Sequence, residues 1–392
     1  MALTHIPLER IDQNQLQALL LDGKAAEALT IEYKRDTYGG SDDAKAEFLA
    51  DISSLANSRG GDLLIGIEAP GGVPTSFSAF TGDPDKERLR LEQMARSGLE
   101  PRISNLQTKV VPVASGGWVL IVRVPRSYSA PHRVIFRGRN RFWARSSAGK
   151  YEPNVDELRA MFVFAPQLAE RMRDFRLDRV ARIAAGDAPV PLLDDSCLIL
   201  HVIPFSHFDL RPAVSLRALI QNKTRLDPIG TPADATRLNF DGLLAISYPE
   251  NGTYQSYVQA FRGGAIEAVC SSITGSGGSI DIRRVEHYIV ERSLEYARAL
   301  DECGAGPPLA VMASVIGVKG RRLTVARRYE PAKGEIADRD QLHLAEVVLD
   351  GMPADILSFA QTLKPTLDQL ANAVGIPASL NFDEKGDYIQ RR

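Results

Sequence analysis

The fold of this chain is decided by residues 27–68, EALTIEYKRDTYGGSDDAKAEFLADISSLANSRGGDLLIGIE. The pattern of apolar residues predicts a strand at Leu29–Lys34, a helix near Asp42–Arg59 and a buried strand at Asp62–Ile67. Ser41 or Asp42 is a suitable N-cap for the helix, and the glycine pair at its far end is typical of a helix end. The stretch therefore predicts a strand–helix–strand unit with mixed α/β character.

Three acidic residues occupy this unit: Glu27, Glu32 and Glu68. Strand alternation places Glu32 and Lys34 on one face, directed toward open space, while the apolar face of the strand packs on the helix. An extended chain would separate Glu27 from Glu32 by about 17 Å, at about 3.3 Å per residue. The two carboxylates converge only if the chain bends near Ala28, and we expect such a bend.

Converging carboxylates suit a hard divalent cation, which polarises phosphoryl oxygens and lowers the pKa of bound water. Lys34, beside Glu32, would neutralise charge that develops on a phosphate. The alternative is that Glu32 and Lys34 form a solvated pair on the strand face, worth less than about 1 kcal/mol.

The motif Glu27-x4-Glu32-Tyr33-Lys34, followed by SLANSRGGDLLIGIE at 54–68, resembles the divergent AlbA-type (AlbA_2) domain of Schlafen proteins. The resemblance covers roughly Glu27 to Phe162. In nuclease members of that family, two Glu and one Asp hold a divalent metal for RNA cleavage. By position these become Glu27, Glu32 and Glu68, with Glu68 in place of the usual Asp. The resemblance implies Mg²⁺ or Mn²⁺ as cofactor and Lys34 beside the catalytic acids, although many members are described only as DNA-binding proteins.

Charge is distributed unevenly along the chain, although the net charge is only −2. Residues 1–100 carry 10 Lys/Arg against 17 Asp/Glu, whereas residues 101–150 carry 10 Lys/Arg and no acid. Arginine pairs bidentately with phosphate, and the interleaved aromatic residues can stack on bases. An alternative is that this basic block pairs with the acids of residues 1–100. The candidate nucleic-acid-binding residues are Arg123, Arg126, Arg133, Arg137, Arg139, Arg141, Arg145 and Lys150.

Composition and patterning predict an α+β protein, with a Schlafen/AlbA-like mixed α/β lobe followed by a second α+β domain. We expect the lobe at 1–152, a helical connector at 153–187 and the second domain at 188–392. In the connector, a helix at Asn154–Phe162 is followed by another that restarts at Pro166. No chemical motif occurs in the second domain, so dimerisation or partner binding is its default role.

The sequence excludes or disfavours several classes of protein. No apolar run approaches membrane-spanning length, and no P-loop motif occurs. The three cysteines are far apart and form no Cys-x-x-Cys pattern, which indicates free thiols in a reducing cytoplasm.

Two functions follow from these features. The first is a metal-dependent endoribonuclease, a hydrolase acting on structured RNA such as tRNA. Schlafen cores pair two such lobes around RNA, so this single lobe would act as a homodimer. The second is a non-catalytic DNA- or RNA-binding transcriptional regulator, with the three glutamates structural. A ligand-sensing or scaffold role has no positive feature to support it.

Overall fold

The computed structural model describes residues 3, 6, 8–21, 26–114, 116–146, 148–209, 214–221, 223–275, 277–327, 330–383 and 385–389. The chain divides into two compact units, Met1–Gln167 and Leu168–Arg392. Both units combine helices and strands, which confirms the predicted α+β class.

The first unit is built around a mixed sheet flanked by helices. The elements are α1 (Gln13–Leu21), β1 (Ile31–Lys34), α2 (Asp42–Ala56), β2 (Gly61–Ile65), β3 (Ile67–Glu68), β4 (Ser76–Phe77), α3 (Pro84–Gly98), β5 (Leu99–Glu100), β6 (Gln107–Pro112), β7 (Trp118–Val124), β8 (Arg133–Phe136), β9 (Arg139–Phe142), β10 (Ala144–Ser146) and β11 (Gly149–Tyr151). The strands of the main sheet are ordered β1-β2-β7-β6, with β1 and β2 parallel and the other neighbours antiparallel.

The two faces of this sheet carry separate apolar cores. On one face, residues of α2 and α3 pack with Leu63 and Leu120; on the other, residues of α1 pack with Ile31 and Tyr33. The prediction that the apolar face of β1 packs on α2 was therefore wrong. Acidic groups on α2 face the polar side of β1 instead, so Glu32 is buried rather than directed toward open space.

Gly60 and Gly61 explain the double glycine after α2. A Cβ on Gly60 would lie 2.4 Å from the backbone nitrogen of Arg126, and one on Gly61 would lie 2.5 Å from the carbonyl oxygen of Thr30. Both residues also have positive φ, at 71° and 153°. Because side chains are excluded here, the chain can pass between β1 and the end of β7.

The basic hairpin is the β8–β9 pair, which joins β5 in a three-stranded sheet ordered β5-β8-β9. Its turn is Arg137–Gly138, and both residues have positive φ, at 50° and 76°. A two-residue hairpin turn needs such angles if its twist is to match the twist of the two strands. The sequence alone predicts strands at Val134–Arg137 and Arg141–Arg145, joined by a turn at Gly138–Asn140. The structure ends β9 at Phe142 and starts β10 at Ala144.

A single helix, α4 (Val155–Ala184), replaces the two helices predicted around Pro166. An interior proline removes one helical hydrogen bond and crowds the preceding turn, which is why the sequence predicts a break, but the helix continues through Pro166. The boundary between the two units falls one residue after this proline, between Gln167 and Leu168.

The second unit contains a large antiparallel sheet and several helices. Its elements are β12 (Cys197–Pro204), α5 (Leu216–Gln221), β13 (Ala235–Leu238), β14 (Gly242–Ile246), β15 (Pro249–Glu250), β16 (Thr253–Tyr254), β17 (Ser256–Phe261), β18 (Ile266–Cys270), β19 (Ile280–Asp281), α6 (Ile282–Glu302), β20 (Leu309–Ile316), β21 (Arg322–Arg327), β22 (Glu330–Ile336), β23 (Leu342–His343), β24 (Val347–Leu349) and α7 (Ile356–Asn372). The sheet is ordered β13-β14-β17-β18-β12-β20-β23, with β24 also paired to β20. Helices α6 and α7 contribute to the main core of the unit. Among the residues described, no helix is long and apolar enough to cross a membrane.

Candidate functional site

The predicted bend before β1 is present. Ala28 and Ile31 exchange backbone hydrogen bonds of 3.2 and 3.4 Å, which turns the chain so that the strand starts at Ile31 rather than Leu29. The turn brings the Glu27 carboxylate back to the strand, where it accepts a hydrogen bond of 3.3 Å from the Tyr33 amide. Burial, followed by the nearby charge of Glu32, raises the pKa of Glu27. Glu27 and Glu32 are thus brought together as expected.

Arg145 lies against these two acids. Its guanidinium, which is 1% exposed, pairs with Glu32 and donates to the carbonyl oxygens of Ala28 and Ile31, at 2.9 and 3.2 Å. It also lies close enough to Glu27 to lower the pKa of that carboxyl, against the larger effect of burial. Arg145 therefore neutralises the acids from inside the domain and is not part of an exposed binding surface, contrary to the sequence-based prediction.

Lys34 extends this cluster toward α2. Its ammonium lies 3.0 Å from Glu32 Oε1, 3.3 Å from Asp51 Oδ2 and 3.6 Å from Glu47 Oε1. Burial would lower the pKa of Lys34, but Asp51 and Glu32 more than offset that effect and raise it. Lys34 is therefore held in its charged form by three acids.

Asp51 lies at the centre of this group of charged side chains, and sequence reasoning missed it. It is fully buried, accepts a hydrogen bond of 2.6 Å from the Tyr38 hydroxyl and pairs with Lys150 at 2.7 Å. Burial and the Asp51 charge raise the pKa of Tyr38. The available signal was an acid inside the apolar segment FLADISSLA of α2, because a charge at such a position must find a partner. We call Glu32, Lys34, Asp51, Arg145 and Lys150 the internal charge cluster.

Glu68 lies outside the internal charge cluster. It belongs to β3, which pairs with β4, and its half-exposed carboxylate lies 3.3 Å from Arg35 Nε. Within the described residues, no group of three or more His, Cys, Asp or Glu side chains is arranged to hold a metal ion. With Glu32 bound to two cationic side chains and Glu68 bound to another, the three glutamates as arranged do not fit Mg²⁺ or Mn²⁺, which need carboxylate oxygens directed at one point.

The basic block separates into buried and exposed members. Arg123 is mostly covered and pairs with the buried Asp62, with its Nε 2.8 Å from Oδ1, and also donates to the carbonyl oxygens of Leu3 and Ile6. Arg126 lies over the rings of Tyr128 and Phe164, at 5.3 and 5.1 Å. Arg123, like Arg145, was wrongly assigned to the surface, and Lys150 is mostly covered by its pairs with Glu47 and Asp51.

The exposed members lie on the basic hairpin. The side chains of Arg137, Arg139 and Arg141 are 70%, 45% and 57% exposed. Each pairs with an exposed acid: Arg137 with Asp42 at 3.4 Å, Arg139 with Asp43, and Arg141 with Glu152 at 2.6 Å. Arg133, with a 40% exposed side chain, pairs in the same way with Glu100. The alternative in which the basic block pairs with acids of residues 1–100 is thus observed for much of the block.

A groove of about 440 Å³ separates the basic hairpin from α2. Asp43, Glu47, Arg139 and Arg141 supply its charged lining, and Trp143 supplies its aromatic lining. The Lys150 ammonium lies 6.0 Å from the Trp143 ring centroid and connects the groove to the internal charge cluster. The groove therefore has cationic, acidic and aromatic groups within one opening.

Asn57 fixes the hairpin segment to the end of α2. Its Nδ2 donates to the carbonyl oxygens of His132 and Trp143 at 3.0 and 2.8 Å, and its Oδ1 accepts from the His132 amide at 2.6 Å. One buried amide thus satisfies three backbone groups around the basic hairpin. This gives a structural reason for the asparagine in the SLANSRGG motif.

The comparison with known families bears on the first unit. The family model described as Schlafen, AlbA_2 matches residues 27–154. No curated protein matches the chain. Among solved structures, the amino-terminal domain of a RecG-related protein from Nitrosomonas europaea, named for an ATP-dependent DNA helicase, is 25% identical, with 28% of this chain and 72% of that one covered at a TM-score of 0.23. The DIP2311 protein from Corynebacterium diphtheriae is 17% identical, with 36% of this chain and 30% of that one covered at a TM-score of 0.25.

The family match supports nucleic-acid binding by this segment and does not bear on endoribonuclease activity. It confirms the resemblance seen in the sequence: residues 27–154 match the Schlafen AlbA_2 domain family.

Proposed function

We propose that residues 27–154 bind nucleic acid through the exposed arginines of the basic hairpin, without cleaving it. The observation that carries the proposal is the contrast between exposed and buried arginines. Arg137, Arg139 and Arg141 are held only by exposed acids, whereas Arg123 and Arg145 are committed to buried partners.

Exposed ion pairs contribute only about 0–1 kcal/mol each, so a phosphate can replace the acid at little cost. The arginine fork matches a phosphate bidentately, and released counterions add to the affinity. Buried pairs behave differently, because separating them leaves a charge without water. The hairpin arginines are therefore the members of the basic block that can exchange partners.

The proposal that the domain does not cleave nucleic acid follows from the ion pairs that the glutamates already form. Glu32 is bound by Arg145 and Lys34, so its oxygens already have cationic partners. A metal-dependent endoribonuclease acting on structured RNA such as tRNA stays a prediction of the sequence resemblance, and the arrangement of Glu27, Glu32 and Glu68 does not favour it. The homodimer expected from two-lobed relatives is testable by light scattering of the protein with and without nucleic acid.

The test is fluorescence anisotropy with labelled tRNA and with single- and double-stranded DNA, from about 50 to 200 mM salt. The triple variant Arg137→Gln/Arg139→Gln/Arg141→Gln should bind at least about tenfold more weakly and show a salt slope smaller by about 3, roughly one per lost phosphate contact. The matched control removes the same charge at exposed positions outside the hairpin: Arg10, Arg96 and Arg102.

Unchanged binding by the hairpin variant, or equal losses in the control, would show that the hairpin is not the contact surface. The same samples incubated with Mn²⁺ or with a chelator test cleavage directly. Metal-dependent cleavage that disappears in a folded Glu32→Gln variant would replace the binding proposal with the endoribonuclease.

A further inference from the structure

The basic hairpin has a second face, opposite the groove. Directly paired residues in an antiparallel ladder share a face, so the pairs Arg133–Phe142 and Ile135–Asn140 lie together on the outer side. Val134, which alternates with them, is buried in the core beside α2. The outer face is exposed at Ile135 and Asn140.

Phe162 of α4 packs on this outer face. Its ring lies 5.7 Å from the Phe142 ring, centroid to centroid, at an interplanar angle of 80°. An edge-to-face contact of this kind holds a ring in place while leaving much of it uncovered. The residue is 56% exposed, which leaves ring surface available to a ligand.

Arginine and aromatic groups meet along the β9 strand. This strand is at the edge of the β5-β8-β9 sheet, and within the described part of the chain no further strand pairs with its free side. Alternation directs Arg139 and Arg141 to the groove side and Phe142 to the outer side. A nucleic-acid strand crossing this edge can contact the arginines with its phosphates and reach the aromatic pair with a base.

We propose that Phe162, held by Phe142, is a stacking platform for one unpaired base of the bound nucleic acid. This inference rests on the proposed function, because the phosphates that deliver the base are those contacting the hairpin arginines. Bases in a duplex have both faces covered by their neighbours, whereas unpaired bases are free to stack on aromatic side chains. The platform therefore gives the domain a preference for single strands and loops over duplex.

The experiment measures anisotropy with three labelled probes: a single-stranded oligonucleotide, its duplex, and a strand of the same length whose residues are abasic. Phe162→Ala should weaken binding to the single strand about tenfold, the loss expected when one stacked base is released. Binding to the duplex and to the abasic strand should not change. Phe162→Trp should retain the affinity, and its added indole emission should be quenched by the single strand alone.

Leu177→Ala is the matched control, since Leu177 is an exposed apolar residue of the same helix. Circular dichroism verifies that each variant is folded. If Phe162→Ala binds the single strand like the wild type, or loses all three probes equally, the platform is refuted while the hairpin proposal stands. If the wild type binds no probe, the proposed function itself fails, and the platform with it.

Discussion

Replacing Arg145 by Met tests whether the internal charge cluster stabilises the fold. The guanidinium is 1% exposed and its partner Glu32 is also buried, so the substitution leaves a carboxylate that has lost its main counter-ion. Removing one partner of a buried ion pair costs about 3–5 kcal/mol. In the variant, the backbone hydrogen bonds between Ala28 and Ile31 remain. The carbonyl oxygens of these two residues therefore keep a partner, and losing the bonds from Arg145 adds little to the cost in stability.

Tryptophan fluorescence is a selective assay for this loss. The chain has two tryptophans, Trp118 and Trp143, and both lie in the first unit. Urea unfolding followed at the indole emission therefore reports on that unit. With a slope of about 2 kcal/mol per M, a loss of about 4 kcal/mol lowers the midpoint by about 2 M.

A double-mutant cycle identifies the partner. Arg145→Met and Glu32→Gln should each be destabilising, and the double variant should cost less than the sum by about 2–3 kcal/mol, because neither buried charge then remains. Two results would refute the reasoning: a loss below about 1 kcal/mol for Arg145→Met, as for an exposed pair, or strict additivity of the two changes.

Three further predictions concern the hairpin, its attachment and the second unit. Asp42→Asn/Asp43→Asn should raise nucleic-acid affinity a few-fold in the anisotropy assay, since each exposed pair that competes with phosphate is worth up to about 1 kcal/mol; unchanged or weaker binding would contradict this. Asn57→Ala should lower the free energy of unfolding of the first unit by about 2–4 kcal/mol, because three backbone groups lose their partner, and a cost under about 1 kcal/mol by urea unfolding would be inconsistent with that role. Burial raises the pKa of Glu286 from its ordinary value of 4.5 to about 7. Between these two values the folded state binds more protons than the unfolded state, so the free energy of unfolding should fall as the pH rises from 4.5 to about 7. Calorimetry between about pH 5 and pH 8 should show this fall in the wild type and a flatter profile in Glu286→Gln.

Local signals made much of the first unit predictable. Helix α2 starts after Ser41, whose hydroxyl accepts from the Ala44 amide, and α3 starts at Pro84 after Asp83, whose carboxylate caps it. The alternating or apolar runs at Leu106–Val113 and Trp118–Val124 predict a hairpin, and the structure has the β6–β7 pair there. Caps, proline and alternation act over a few residues, so the sequence displays them directly.

Long-range pairs were not predictable in the same way. Glu32 and Arg145 are 113 positions apart, and nothing local to either residue indicates the other. Arg123 and Asp62 gave a partial signal, since Arg123 interrupts and Asp62 begins an apolar run that becomes a central strand. A charge inside such a run must be paired, and the ladder places these two directly opposite each other. The sequence thus indicated that partners exist but could not say which.

The pairing also changes what the charge distribution means. The first unit, residues 1–167, carries 21 Lys/Arg against 20 Asp/Glu, so its net charge is too small to attract a polyanion strongly. The buried cations of the basic block neutralise the acids of β1, β2 and α2 and stabilise the fold. The arginines that remain available to a nucleic acid are those of the exposed basic hairpin beside the groove. The affinity for nucleic acid should therefore depend on where the arginines lie rather than on how many there are. For this reason the hairpin variant must be compared with a control variant that loses the same charge elsewhere in the first unit.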